Sequence, residues 1–317
     1  MEPGFSALLV GDSLRLRPAQ RVVVCAGGQA ALAPDFDRAL TCLGERPVTY
    51  LLVDLAALGD QPLEALRTLH ARAPQSPLLL LAAPSPPGIF RELLAEPWFA
   101  HLLALESPWF MEELLATLRK LERGPLFGVS CYLPWGAHVH EVRIAGSEAK
   151  GSALDRVAAF MGDLGIGGRV LHRLQDIADE MIMNAVYDAP VGADGRPLYT
   201  HLSRQTPVTL ADAEQCVLSF GSDGKMLALG IRDPFGALAV STLKGYVAKG
   251  LRRGADQIDQ KAGGAGLGLY LQFDFMGSMV LNLSPGRATE MIGLLDIRGS
   301  FRDLATAPKS FGCFTQV

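Results

Sequence analysis

The chain has 317 residues, 49% of them hydrophobic and 20% charged, a composition that supports substantial cores, predicts two domains and excludes general disorder. Its net charge of −4 offers no general attraction for nucleic acid. No apolar run approaches the roughly 18 residues of a spanning helix, and Met1-Glu-Pro-Gly supplies no basic leader, so the chain reads as cytoplasmic with no membrane partner. The five cysteines are scattered, with neither CxxC nor Cys/His clustering, and read as reduced core thiols.

Short apolar runs recur at residues 7–10, 22–25, 50–54, 78–81 and 102–105, most of them separated by helix-length segments. That rhythm predicts a parallel α/β sheet, with helical spacing at 63–70 and 110–121 covering its faces. Residues 1–122 therefore form one small doubly wound domain. Asp54 ends the 50–54 strand, where a reactive carboxylate would sit. This order of elements resembles a response-regulator receiver domain, a flavodoxin-like fold. A working receiver has an acidic pair after its first strand and Lys-Pro after its last. Here those positions read Gly11-Asp12 and Ser107-Pro108. The resemblance thus implies a pseudo-receiver used for contacts rather than for phosphoryl transfer to Asp54.

Residues 123–137 contain Gly124-Pro125, Pro134 and Gly136 without a clear period and read as a linker. His138–Ile144 alternates as a strand. Its His140-Glu-Val-Arg matches a phosphoacceptor pattern only superficially, since no long helical hairpin carries it. Ser152-Ala-Leu-Asp155 reads as a capping-box-like helix start, and Gly165 as that helix's end. A second helix follows, with Leu171, Leu174, Ala178, Met181, Ile182 and Ala185 as its apolar stripe. Glu180, Asn184 and Asp188 stand beside that stripe at i, i+4 and i+8, so they can address one point. The Gly-, Pro- and Asp-rich stretch 189–207 is an extended connection. Two hairpins are predicted, around Ser222–Lys225 and Ser284–Arg287, the first running into Asp233. Residues 138–317 make an α+β domain with a mixed, mainly antiparallel sheet.

Gly264-Ala-Gly266-Leu-Gly268 reads as a glycine-rich loop whose backbone can approach phosphates, ahead of a helix whose N-terminus attracts anions. It fits neither Gly-x-Gly-x-x-Gly nor a Walker motif. Lys244, Lys249, Arg252, Arg253 and Lys261 cluster just before it. A carboxylate and an amide at Glu180 and Asn184 suit a divalent cation and a water.

The ordered set of Glu180…Asn184, Asp233-Pro-Phe-Gly236, Gly264-x-Gly-x-Gly268 and Thr289 resembles the Bergerat-fold (GHKL) ATPase domain over residues 138–298. Within that superfamily the lead-in is most similar to anti-sigma-factor serine kinases and histidine kinase-like ATPases. The resemblance implies an α/β sandwich binding ATP or ADP with Mg²⁺. Asn184 would ligate the metal, and Asp233 would accept the adenine amino group. Gly264, Gly266 and Gly268 would hold phosphates, while Thr289, with Gly236 and Asp188 nearby, would support the nucleotide. Glu180 would be the catalytic base, and residues 244–262 a mobile lid. The usual Asp-x-Gly-x-Gly is here Asp233-Pro-Phe-Gly-Ala, its glycine displaced by one. The functional expectation is a signalling regulator with a regulatory protein partner, acting as a serine/threonine kinase or a nucleotide-dependent switch; a homodimer is allowed. Alternatives are a non-catalytic scaffold and a histidine-kinase remnant in a phosphorelay.

Overall fold

The protein is described here by a computed structural model, in which residues 4–83, 87–251 and 265–316 are described. They divide into two compact units, one of Met1–Gly124 with Pro308–Gly312, the other of Pro125–Ala307 with Cys313–Val317. Among the described residues no helix is long and apolar enough to cross a membrane.

The first unit alternates strand and helix: β1 (Phe5–Val10), α1 (Arg17–Cys25), β2 (Gly28–Ala33), α2 (Phe36–Glu45), β3 (Tyr50–Asp54), α3 (Pro62–Arg72), β4 (Leu78–Ala82), α4 (Pro87–Ala95), β5 (His101–Ala104) and α5 (Phe110–Leu121). All four neighbouring pairs are parallel in the order β2-β1-β3-β4-β5, the receiver-like, flavodoxin-type arrangement. Strands β3, β4 and β5 are buried throughout, as a sheet covered on both faces requires. Val22 and Val23 of α1 share one core cluster with Leu114 and Leu118 of α5 and with Leu9, Leu52 and Leu81 of the sheet.

One predicted strand is a helix. Residues 22–25 lie in α1, where Ala19, Val22 and Val23 are buried at i, i+3 and i+4 while Val24 and Cys25 face solvent. Pro18 sits in the first turn, where its fixed φ and missing N–H cost nothing. The true second strand, Gly-Gln-Ala-Ala-Leu-Ala, lies at the sheet's β2 edge and has little β-propensity of its own. Gly27, at φ 89°, makes the reversal between the two.

The second unit contains β6 (Val139–Ile144), α6 (Lys150–Asp163), α7 (Gly168–Met183), β7 (Cys216–Ser222), β8 (Met226–Asp233), α8 (Val240–Gly250), α9 (Ala265–Phe275), β9 (Ser278–Ser284), β10 (Ala288–Asp296), α10 (Phe301–Thr306) and β11 (Ser310–Thr315), the last shared with the first unit. Strands pair in the order β6-β7-β8-β10-β9, and each of these four pairings is antiparallel. Helices α6, α7, α9 and α8 pack in series, with α7 against β8 and α9 against β9. The result is a layer of helices on an antiparallel sheet. Both predicted hairpins form.

Three boundaries differ from expectation. Residues from Pro125 onward are not a free linker, because the Gly128 N–H donates to both carboxylate oxygens of Glu290 (3.0 and 2.9 Å), which also accepts from Asn282 Nδ2 at 2.7 Å. Helix α6 starts at Lys150, and Ser152 Oγ donates back to the Ala149 carbonyl instead of capping. Residues 308–312 belong to the first unit: Phe311 and Gly312 pair antiparallel with Leu102 and His101 of β5. Phe311 stacks on Phe99 at 5.9 Å, and Ser310 Oγ donates to Glu113 Oε2 at 2.9 Å while accepting from the Ala104 N–H.

Candidate functional site

Asp54 sits where the first unit's strand order reverses, at the carboxyl end of β3, and is 1% exposed. Its Oδ2 is bound by Arg15 Nε at 2.9 Å, and its Oδ1 accepts the Ala56 N–H that opens the following turn. Asp12 is spent on the Leu14 and Arg15 N–H groups. Gly11 lies so close that a side chain there would strike the Asp54 Cβ. An arginine thus neutralises the buried carboxylate, in a small hollow of about 380 Å³.

A larger cavity of about 1110 Å³ opens in the second unit. Asn184, Asp188, Asp233, Gly236 and Thr289, drawn from three separated stretches of sequence, all line it. Asp233 ends β8 directly across the ladder from Thr289 in β10. Its Oδ1 accepts the N–H groups of Phe235 (2.9 Å) and Gly236 (3.3 Å), the self-closing turn an Asp favours. Burial pushes this carboxyl up to about 6, opposed by hydrogen bonds from the two N–H groups and from Thr289. Gly236 has a physical reason to be one place late. It adopts φ 62°, and a side chain there would strike the Ser284 carbonyl and the Gly286 and Arg287 nitrogens, so the turn after β8 rests on the β9–β10 turn.

One wall group carries no motif signal. Gln272 of α9 is 2% exposed with its Nε2 unpartnered, whereas Thr289, 3% exposed, bonds the Asp233 carboxylate across the ladder. Buried polar groups without partners are rare enough to need an explanation, and Gln272 lines the cavity.

The other predicted residues are placed differently. Gly266 and Gly268 fall inside α9 rather than in a loop, and Gly264 lies outside the described residues. A Cβ at Gly268 would land on the Glu180 side chain, so its bareness serves helix packing. Glu180 therefore presses on α9 and is not among the cavity's lining residues. The first part of the proposed lid, through residue 250, is helix α8, with Lys244 buried and Gly250 making room for the Tyr270 ring. Arg252, Arg253 and Lys261 lie outside the described residues.

Arg204 carries no motif signal in the sequence. Helix α7 runs into a π-helical turn over Asn184–Asp188, its Ala189 N–H reaching back five residues to Asn184. On one side of that turn Arg204 Nη1 binds Glu180 Oε2 at 3.0 Å, and Nη2 binds both Asn184 Oδ1 (2.9 Å) and Asp188 Oδ2 (3.0 Å). On the other, the buried Tyr187 hydroxyl reaches the Arg204 and Thr206 carbonyls, fixing the arginine's own backbone. Burial raises the pKa of Glu180 and of Asp188, and Arg204 opposes both shifts. The only sequence signal was the unbalanced acidic face. The residues expected to hold Mg²⁺ are thus already joined to a cation, and among the described residues no group of three or more His, Cys, Asp or Glu could hold a metal.

No family model and no curated protein matches the sequence. Among solved structures, the chain is similar to a response regulator from Thermotoga maritima, with 15% identity and TM-score 0.33 over 38% of this chain and 98% of that one. It is also similar to the chemotaxis response regulator CheY4 of Vibrio cholerae, with 21% identity and TM-score 0.32 over 37% and 98%. The Legionella pneumophila response regulator LqsR aligns over 94% of this chain and 90% of its own, with 12% identity and TM-score 0.32.

Proposed function

We propose that the chain is a signalling regulator whose second unit binds an adenine nucleotide, ATP or ADP, and alters its hold on a regulatory protein partner with nucleotide state. One observation carries this reading: Asn184, Asp188, Asp233, Gly236 and Thr289 meet around a single cavity of ligand size. An ionised Asp233, lining the cavity with Ile231, Met291 and Leu269, suits an exocyclic amino donor on a flat heterocycle, and the Thr289 hydroxyl opposite it in register bonds the same carboxylate. The switch is preferred to the kinase because Glu180, the base that the resemblance implies, is tied to Arg204 and packed on Gly268. The first unit serves as a contact module, its Asp54 held by Arg15.

Calorimetric titration of the intact chain with ATP and ADP tests the reading. Binding is expected, and Asp233→Asn should weaken it at least about tenfold, the scale of one hydrogen bond to a charged group. No binding, or equal binding by the Asp233→Asn protein, would leave the scaffold alternative in its place.

A further inference from the structure

We infer that Arg204 is a resident cation: it occupies the place of a divalent metal among Glu180, Asn184 and Asp188, so the adjoining cavity takes its anionic ligand without metal. The inference rests on the nucleotide reading for the identity of the ligand, but not for the role of Arg204.

Two carboxylates and an amide oxygen converge from one helix face, a donor set that attracts a hard cation. A guanidinium satisfies it instead, making three contacts of 2.9–3.0 Å. Charge-assisted bonds of this length, partly withdrawn from water, are the strong class, and the planar fork matches several oxygens at once. The arginine is also held from behind, because Tyr187 bonds its carbonyl oxygen. A divalent ion would have to displace a guanidinium whose backbone cannot follow it outward. With the arginine in place the group carries one negative charge rather than two, which lowers the repulsion that a ligand's anionic oxygens would meet from Asp188 in the cavity wall; Arg204 acts from behind Asn184 and Asp188 and is not itself a lining residue. Unpartnered Gln272 Nε2, 2% exposed in the same wall, supplies a neutral donor for such a ligand.

The test uses the full chain and two probes. Mn²⁺ is titrated first, followed by electron paramagnetic resonance, without nucleotide. The wild-type protein should bind no ion at concentrations that saturate Arg204→Ala, and Arg204→Ala should gain one site that Asp188→Asn removes. A fluorescent ATP analogue is then titrated in EDTA and in Mg²⁺. Wild-type affinity should agree within about twofold between the two, whereas Arg204→Ala should lose about tenfold or more in EDTA and recover in Mg²⁺. Arg204→Lys, which keeps a charge should the alanine variant fail to fold, should stay metal-free. Manganese bound by the wild-type protein and lost in Asp188→Asn, or nucleotide binding by the wild type that requires Mg²⁺, would overturn the inference. So would a folded Arg204→Ala protein that gains neither. Absence of nucleotide binding under every condition would defeat the nucleotide reading, while the manganese titration would still decide what Arg204 does.

Discussion

At the scale of single residues, Asp233 ties stability to pH in a direction that can be checked. Its carboxyl is raised from an ordinary 3.8 to about 6 in the folded chain, so the native state holds a proton more tightly than the unfolded one. Between those values the native state binds more protons, and stability falls as pH rises, levelling off above about 6. Asp233→Asn should remove this slope and leave the variant more stable near pH 7 by on the order of 2 kcal/mol. Thermal melts from pH 4 to 8 would show it; parallel curves for the two proteins would refute it. A ligand that donates N–H to the carboxylate should bind more tightly as pH climbs through the same window. That Asp233 ends a strand and Thr289 sits in a closing hairpin is legible in the sequence, because strand ends and hairpin registers are set by local pattern. The place of Arg204 is not, because a residue within an aperiodic connection has no period to betray its direction.

At the scale of elements, Gly268 shows how one glycine admits two physical readings. Gly268 was expected to bare its backbone to phosphates, yet in α9 it clears space for a side chain of α7. Helix propensity alone would favour alanine there by about 1 kcal/mol. Gly268→Ala should nevertheless destabilise the chain by about 1–3 kcal/mol, since the intruding methyl must push Glu180 off Arg204. Glu180→Ala in the same chain should recover much of the loss, and urea titrations of the two single variants and the double variant would measure the coupling. Simple additivity would mean the two residues do not touch. The π-helical turn was invisible for a related reason: Asn184 and Asp188 keep ordinary i, i+4 spacing, and only the backbone bond from Ala189 reveals the widening. Buried strands β1, β3, β4 and β5 were legible as apolar runs. Strand β2 was hidden by its alanines and α1 disguised by its valines.

At the scale of the whole molecule, periodicity changes near residue 124, where the first compact unit's main segment ends, but nothing in the sequence signals the return of residues 308–312 to that unit. Five residues with one buried aromatic give no hint of which sheet they will join. Phe311 is 2% exposed and packs on Phe90 and Phe99, so Phe311→Ala should cost about 3–5 kcal/mol. Chemical denaturation followed by a probe in the first unit should register that loss; an unchanged midpoint would mean the segment only decorates the β5 edge.

That same return has a consequence during synthesis. A ribosome releases residues 4–124 well before it reaches Ser310, so the nascent first unit must wait while the second unit is made, with β5 lacking its antiparallel partner and Glu113 lacking the Ser310 hydroxyl. Unpaired strand borders are the places where newborn chains stick to one another. Polysomes carrying this message should therefore be a favoured stopping place for chaperones, and a stalled chain cut short of residue 310 should aggregate where the finished one does not.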